Sequence, residues 1–390
     1  MKNFIYNTPT KIFFGKDTHK QLGDILKSYN IKKVLFHYGK SSIKKTGLYD
    51  EVIKQLNDAK IDYVELGGVE PNPKLNLVLK GVEIAKRENV DLILAVGGGS
   101  VIDSSKAIAC GTVVDFNPWL FNIKEKEAKA HIPVGTILTL SAAGSDMSNS
   151  CVITNDKTLE KRGFASEENR CLFSILNPEL TYTVDRYQTA CGIVDILMHT
   201  LERYFSLGDD TPITDNISLG LMKAVIDCGR LAIKDPYDYN ARANLMWANS
   251  LSHNGLTSCG RSFFMAVHQL EHEISGMFDY VAHGAGLAVL WPAWAMISYN
   301  ACPDRFLRFS YEVMKVEKTM DLENDIISGI KALKSFFKEI GMPTTLTELN
   351  IDEKAFKDLA YNAMFKGKRT LPDIVEVDYN KAIEILNLAK

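Results

Sequence analysis

Hydrophobic positions in the first half of the chain come in short β-branched runs, whereas in the second half they recur at helical spacing. Residues 34–38, 63–66, 92–96 and 133–138 read as strands, with helical patterns near 45–58, 75–88 and 101–110 between them. Short apolar runs bounded by turns suit strands buried on both faces, and their alternation with helices predicts a parallel sheet with flanking helices. The character changes near Pro178. From about residue 187, amphipathic periods take over at 187–206, 213–230, 238–253, 258–276, 284–300, 303–315 and 322–340, and Gly341-Met342-Pro343 reads as a helix stop. The pattern predicts an α/β domain over 1–185 and an all-helical domain over 186–390, with the active cleft between them.

A length of 390 residues also suits roughly two domains. The net charge of -3 and pI near 6.3 remove any electrostatic reason to expect nucleic acid or an anionic membrane as partner. No apolar run reaches the ~18 residues that a membrane span needs. The seven cysteines are odd in number, scattered and without a C-x-x-C pair, which predicts reduced thiols in a cytoplasmic protein. Met1-Lys2-Asn3-Phe4-Ile5 runs into a strand-like segment without the pattern of a secretion signal.

The apolar run at 92–96 leads directly into Gly97-Gly98-Gly99-Ser100, after which a helix begins. Glycines let the backbone approach a phosphate, and the free N–H groups and positive end of a helix stabilise its charge. The turn therefore predicts a phosphate cradle. It is not the G-x-G-x-x-G fingerprint, because Ile102 stands at the third glycine, and no Gly-Lys-Ser/Thr follows as in a Walker loop.

The second half carries the metal chemistry. Asp195 and His199 are spaced i,i+4, His268 and His272 likewise, and His283 follows. On a helix that spacing places both side chains on one face, aimed at one point. Three imidazoles with one carboxylate suit Fe(II) or Zn(II) rather than Mg or Ca, which want oxygen shells. His272-Glu273-Ile274-Ser275-Gly276 begins like a zinc-protease helix but lacks the second histidine, which sets that hydrolase aside.

Taken together, Gly97-Gly98-Gly99-Ser100-Val101-Ile102-Asp103, Asn117-Pro118-Trp119, Gly192-Ile193-Val194-Asp195-Ile196-Leu197-Met198-His199-Thr200-Leu201-Glu202, His268-Gln269-Leu270-Glu271-His272-Glu273 and His283-Gly284-Ala285-Gly286-Leu287-Ala288 make the chain similar to the iron-dependent alcohol dehydrogenases. It most resembles their branch of NADP(H)-dependent butanol dehydrogenases and aldehyde reductases, along essentially its whole length. The resemblance implies a dehydroquinate synthase-like architecture: an α/β N-terminal dinucleotide-binding domain and an all-α C-terminal metal-binding domain, in a homodimer. It implies Fe(II), with Zn(II) as the alternative, held by Asp195, His199, His268 and His283. It also places His272 near the nicotinamide as a catalytic proton relay, so the pair at 268 and 272 divides its duties. The interval between His268 and His283 is one residue longer than is usual in the family.

In that family the cofactor-selecting turn follows the first nucleotide-domain strand, here Tyr38-Gly39-Lys40-Ser41-Ser42-Ile43-Lys44. NAD enzymes place an acid near the adenosine ribose, and NADP enzymes a small, polar or basic group. Gly39 stands where NAD-preferring relatives carry an acid, and Ser41, Ser42 and the lysines are expected as donors, so NADP(H) is expected. The resemblance adds Gly97, Gly98, Gly99, Ser100, Asp103, Thr139, Leu140, Ser141, Asn149 and Lys161 as cofactor contacts. It implies hydride transfer between NADP(H) and a short-chain primary alcohol or aldehyde such as butanol or butanal. A polyol dehydrogenase of the glycerol type is one alternative. A lyase of the dehydroquinate synthase kind is another, although the stretch 195–283 is poor in the basic residues its acidic, phosphorylated substrate needs. A non-catalytic binder on this fold would not require both the glycine turn and the full ligand set.

Overall fold

Near-continuous apolar runs are what a parallel strand covered on both faces requires. The computed structural model describes residues 1–208 and 210–390. In it, β1 (Lys11–Phe14), β2 (Lys33–Gly39), β3 (Asp62–Val69), β4 (Leu92–Gly97), β5 (Val134–Leu138) and β8 (Phe173–Leu176) form one sheet in the order β1-β8-β5-β4-β2-β3. Every neighbouring pair is parallel. β6 (Ser150–Asn155) and β7 (Glu160–Ala165) make a separate antiparallel hairpin. The helices of this half are α1 (Leu22–Ser28), α2 (Ser42–Lys45), α3 (Leu48–Ala59), α4 (Leu75–Glu88), α5 (Gly99–Thr112) and α6 (Trp119–Asn122). β4 is buried along its whole length, as its unbroken Leu92-Ile93-Leu94-Ala95-Val96 run demands.

β3 and β4 lie on opposite sides of β2, so the strand order reverses there. In open α/β sheets ligands bind outside the carboxyl ends of the strands at such a reversal. Tyr38 pairs with Val96, which brings the ends of β2 and β4, Gly39 and Gly97, to the same level.

The helical half contains α7 (Arg186–Tyr204), α8 (Pro212–Lys234), α9 (Tyr239–His253), α10 (Ala266–Met277), α11 (His283–Ser298), α12 (Pro303–Arg308), α13 (Leu322–Glu339), α14 (Phe356–Ala363) and α15 (Tyr379–Leu388). Phe205, Trp291, Trp294 and Phe306 lie in the centre of its core, all fully buried. α7 is capped at both ends. Asp185 accepts from Gln188 N at the start. At the finish, Arg261 and Arg305 donate to the carbonyl of Tyr204 and share Asp215. Cations at the negative end of a helix satisfy its last carbonyls.

Two elements depart from the periodic pattern. The helix expected from 258 begins only at Ala266, because Gly260 takes a left-handed φ of 78° and breaks the run. The helix expected over 303–315 stops at Arg308 and continues as a π turn, Phe309–Val313. Chain contacts divide the molecule into residues 7–184 and a second unit of 185–390 with 1–6. The first six residues thus leave the α/β part to which 1–185 had been assigned: Lys2 N donates to Gly260 O at 2.7 Å. No helix among the described residues is long and apolar enough to cross a membrane.

Candidate metal centre and nucleotide cradle

Asp195 and His199 lie mid-way along α7, on the face their i,i+4 spacing predicts, and Glu202 extends that face at i+7. His268 is in the first turn of α10, and His283 opens α11. Three imidazole nitrogens gather round one carboxylate oxygen. Asp195 Oδ1 is 3.0 Å from His199 Nδ1, 3.6 Å from His268 Nε2 and 3.9 Å from His283 Nε2. Asp195, His199 and His268 are each about 4% exposed. Burial alone would raise the Asp195 carboxyl, but the imidazoles of His199, His268 and His283 hold it well below its usual range.

The second ring nitrogens of His268 and His283, which face away from this point, are each held by a carboxylate. Burial would depress His268, yet the carboxylates of Glu202 and Asp195 lift it to about 9. Glu202 Oε2 pairs with His268 Nδ1, while its Oε1 accepts from Val267 N at 2.8 Å, where the first turn of α10 has an N–H without a helical partner. Glu271 pairs with His283 Nδ1 in the same way. His199 differs: the Nδ1 that faces Asp195 Oδ1 also lies 2.9 Å from the main-chain oxygen of Asp195, and burial lowers this imidazole to about 4. Carboxylate–imidazole pairs of this kind fix tautomer and ring orientation, leaving the other nitrogen for a metal.

The residues fit a divalent metal on one further observation: Asp195 Oδ1 and His268 Nε2 are buried, face each other and make no hydrogen bond. Orphaned buried polar atoms are costly, and a shared cation is what such a donor set satisfies. His272 stands apart from this point. Its ring is 5.4 Å from that of His283, and Glu271, His272 and His283 form a second tight group. His283 joins the two groups: its Nδ1 faces Glu271, and its Nε2 lies 3.9 Å from Asp195 Oδ1. Glu202 and Glu271 escaped the sequence reading, although Glu202 continues the one-face pattern of Asp195 and His199.

Two glycines set the helix spacing. A Cβ on Gly284 would sit 2.2 Å from Cys191 O, so α11 touches the backbone of α7 there. One on Gly286 would strike the Glu271 side chain at 2.8 Å, so the glycine makes room for the carboxylate that holds His283.

In the α/β unit the structure brings the glycine turn and the segment after β5 together. A Cβ on Gly98 would meet Leu140 at 3.2 Å and one on Gly99 would meet Ala143 at 3.1 Å, while Thr139 N donates to Gly97 O. Gly97 ends β4, Gly98 caps α5, and Gly99 and Ser100 form its first turn, so the N-terminus of a helix of 14 residues faces this junction with Thr139, Leu140 and Ser141. Asp103 is engaged locally: Ser145 Oγ and Val152 N donate to its two oxygens. Burial pushes its carboxyl up despite the neighbouring Lys106 ammonium. Asn149 Nδ2 donates to Glu167, and Lys161 is buried on β7. Gly39 ends β2, with Ser41 and Ser42 exposed at the start of α2. The lysines expected as donors there are occupied, since Lys40 pairs with Glu70 at 2.5 Å and Lys44 lies over the rings of Tyr38 and Tyr49.

The pattern of residues has counterparts in known proteins. Residues 9–178 match the family model described as iron-containing alcohol dehydrogenase, and residues 189–389 match that of the C-terminal part of the Fe-containing alcohol dehydrogenase family. The chain is 38% identical over 386 residues to an NADH-dependent butanol dehydrogenase A of Clostridium acetobutylicum, covering 99% of each. It is 36% identical to an NADPH-dependent aldehyde reductase of Escherichia coli, covering 90% of each. Among solved structures, an NADH-dependent butanol dehydrogenase A from Thermotoga maritima superposes with a TM-score of 0.96 at 38% identity, over 100% of this chain and 99% of that one.

Proposed function

The chain belongs to the iron-containing alcohol dehydrogenase family, and from that membership we propose that it reduces short-chain aldehydes such as butanal with NADPH, in a reversible reaction. The family is one of oxidoreductases that use iron and a nicotinamide cofactor on alcohols and aldehydes. In our reading, Asp195, His199, His268 and His283 hold the divalent metal. The observation that carries this is the convergence of three imidazole nitrogens on Asp195 Oδ1.

Hydride transfer needs a nicotinamide held against the substrate carbon and stabilisation of negative charge on the substrate oxygen. Bound iron supplies that stabilisation as a Lewis acid. The chain's own part is to preorganise and dry the site. Glu202 and Glu271 fix the planes of His268 and His283, and the near-complete burial of Asp195, His199 and His268 keeps bulk water from their ligand atoms. His272, beside His283 but outside the Asp195 group, is assigned the proton relay. The junction of Gly97–Ser100 with Thr139–Ser141 is assigned the cofactor pyrophosphate, at the positive end of α5.

The choice of NADP(H) rests on Gly39, where an acid would oppose the 2′-phosphate. Relatives named for NADH keep the other cofactor as the second reading. The deciding experiment is anaerobic reconstitution with Fe(II) or Zn(II), followed by absorbance assays of NADPH and NADH oxidation with butanal. Rapid metal-dependent consumption of NADPH is expected. A decisive preference for NADH overturns the cofactor assignment, and no turnover with any metal overturns the reductase assignment.

A further inference from the structure

Five imidazoles of the helical unit form a continuous series. Ring centroids are 4.0 Å apart between His253 and His199, 4.5 Å between His199 and His268, and 5.4 Å for both His268–His283 and His283–His272. The tightest contact in this series is made by His253, whose ring plane lies 32° from that of His199.

His268 and His283 are each oriented by a glutamate, whereas His199 has no such partner among the described residues. Its Nδ1 faces only Asp195, the main-chain oxygen at 2.9 Å and the ligand carboxylate at 3.0 Å. The χ2 torsion of histidine is broad, so a hydrogen bond at one nitrogen restrains that atom more than it restrains the ring plane. A flat neighbour across the ring face supplies the missing restraint, and His253 is placed to do so. It is the last residue of α9, and the chain on both sides of it is pinned: before it Ser252 Oγ donates to Asn249 O at 2.9 Å, and in the turn beyond it Leu256 N donates to Asn254 Oδ1 at 3.0 Å and Gly255 adopts a φ of 100°.

We propose that His253 is a positioning residue for His199: its ring walls in that imidazole and so sets how tightly the Asp195, His199, His268 and His283 cluster takes a divalent metal. The inference rests on the metal reading of that cluster. The test is competition for Zn(II) between a chromophoric chelator and metal-free wild type, His253→Ala, His253→Phe and His253→Asn, with melting temperatures measured in parallel. His253→Ala is expected to weaken Zn(II) binding roughly 10- to 100-fold, as for other groups that orient a ligand. His253→Phe, which keeps a flat ring and no ring nitrogen, is expected to recover most of that loss. Unchanged affinity in His253→Ala overturns the proposal, and so does a phenylalanine variant as weak as alanine, which would mean that a ring nitrogen acts. Should the alanine variant not fold, phenylalanine must still bind Zn(II) more tightly than asparagine; the reverse order overturns the wall. His268→Ala serves as the control: stoichiometric Zn(II) in that variant would defeat the metal reading itself, separately from the role of His253.

Discussion

His268 Nε2 and Asp195 Oδ1 face each other across 3.6 Å, from two different helices, and neither has a hydrogen-bond partner among the described residues. The other nitrogen of His268 is taken by Glu202, which lies one face-step beyond His199 on α7. The pairing holds the His268 ring in one orientation, with Nε2 turned toward Asp195.

Glu202→Gln keeps an oxygen for Val267 N but replaces the carboxylate beside His268 Nδ1 with an amide. Metal affinity is expected to fall roughly 10- to 100-fold while the fold persists. Chelator competition on the metal-free variant gives the answer, and undiminished affinity would remove Glu202 from the orienting role.

Gly39→Asp tests the cofactor assignment. A Cβ there meets only Val69 O, at an ordinary 3.6 Å, so the change introduces charge without a backbone clash. Opposing the 2′-phosphate by about 1.4 kcal/mol shifts preference tenfold toward NADH. The ratio of kcat/KM for the two cofactors reads this directly, and an unchanged ratio acquits Gly39 as selector.

Lys106 is 1% exposed, and its ammonium donates to the carbonyls of Ser145, Ser148 and Ser150 at 2.6, 3.1 and 2.9 Å. Lys106→Met leaves those buried acceptors without a donor and removes a positive charge that lowers the Asp103 carboxyl, at a cost of about 1–3 kcal/mol. A lower melting temperature, weaker NADPH binding by fluorescence and normal metal content are expected. Nucleotide affinity that survives the loss of stability would separate this segment from the cofactor.

His37 links β2 to α5: Nδ1 is 2.6 Å from Leu66 O and Nε2 is 2.8 Å from Ser104 Oγ. Burial lowers it from 6.5 to about 4. Below the higher value the unfolded chain takes up a proton that the folded chain refuses, so stability falls with pH until about 4, by up to roughly 3 kcal/mol, and is unaffected above 6.5. His37→Gln should be less stable at neutral pH but lose less on acidification. Urea midpoints of both proteins at neutral pH and near pH 4.5 check the sign; parallel losses would assign the acid sensitivity elsewhere.

What could be read beforehand follows from how local each signal is. Asp195 with His199, and the apolar run ending in Gly97, carry their meaning within one or two helical turns or a single strand. Glu202 and Glu271 do not, because a glutamate on a histidine-bearing helix looks like any helix glutamate until packing brings an imidazole to it. The β6–β7 hairpin is not legible because its strands are short and mix polar with apolar residues, so that only Cys151, Ile153 and Phe164 mark the apolar side that the pairing buries. The late start of α10 hinged on the backbone of Gly260, which no periodicity reports.

The contact at Gly284 bears on how this centre tolerates change. Because α11 meets α7 through main chain at Cys191, the separation of Asp195 and His283 is gauged by backbone and not by the volumes of neighbouring side chains. Mutational drift or deliberate repacking can exchange core residues around Trp291 and Phe306 while Asp195 and His283 keep their register. One methyl group at position 284 would wedge the two helices apart.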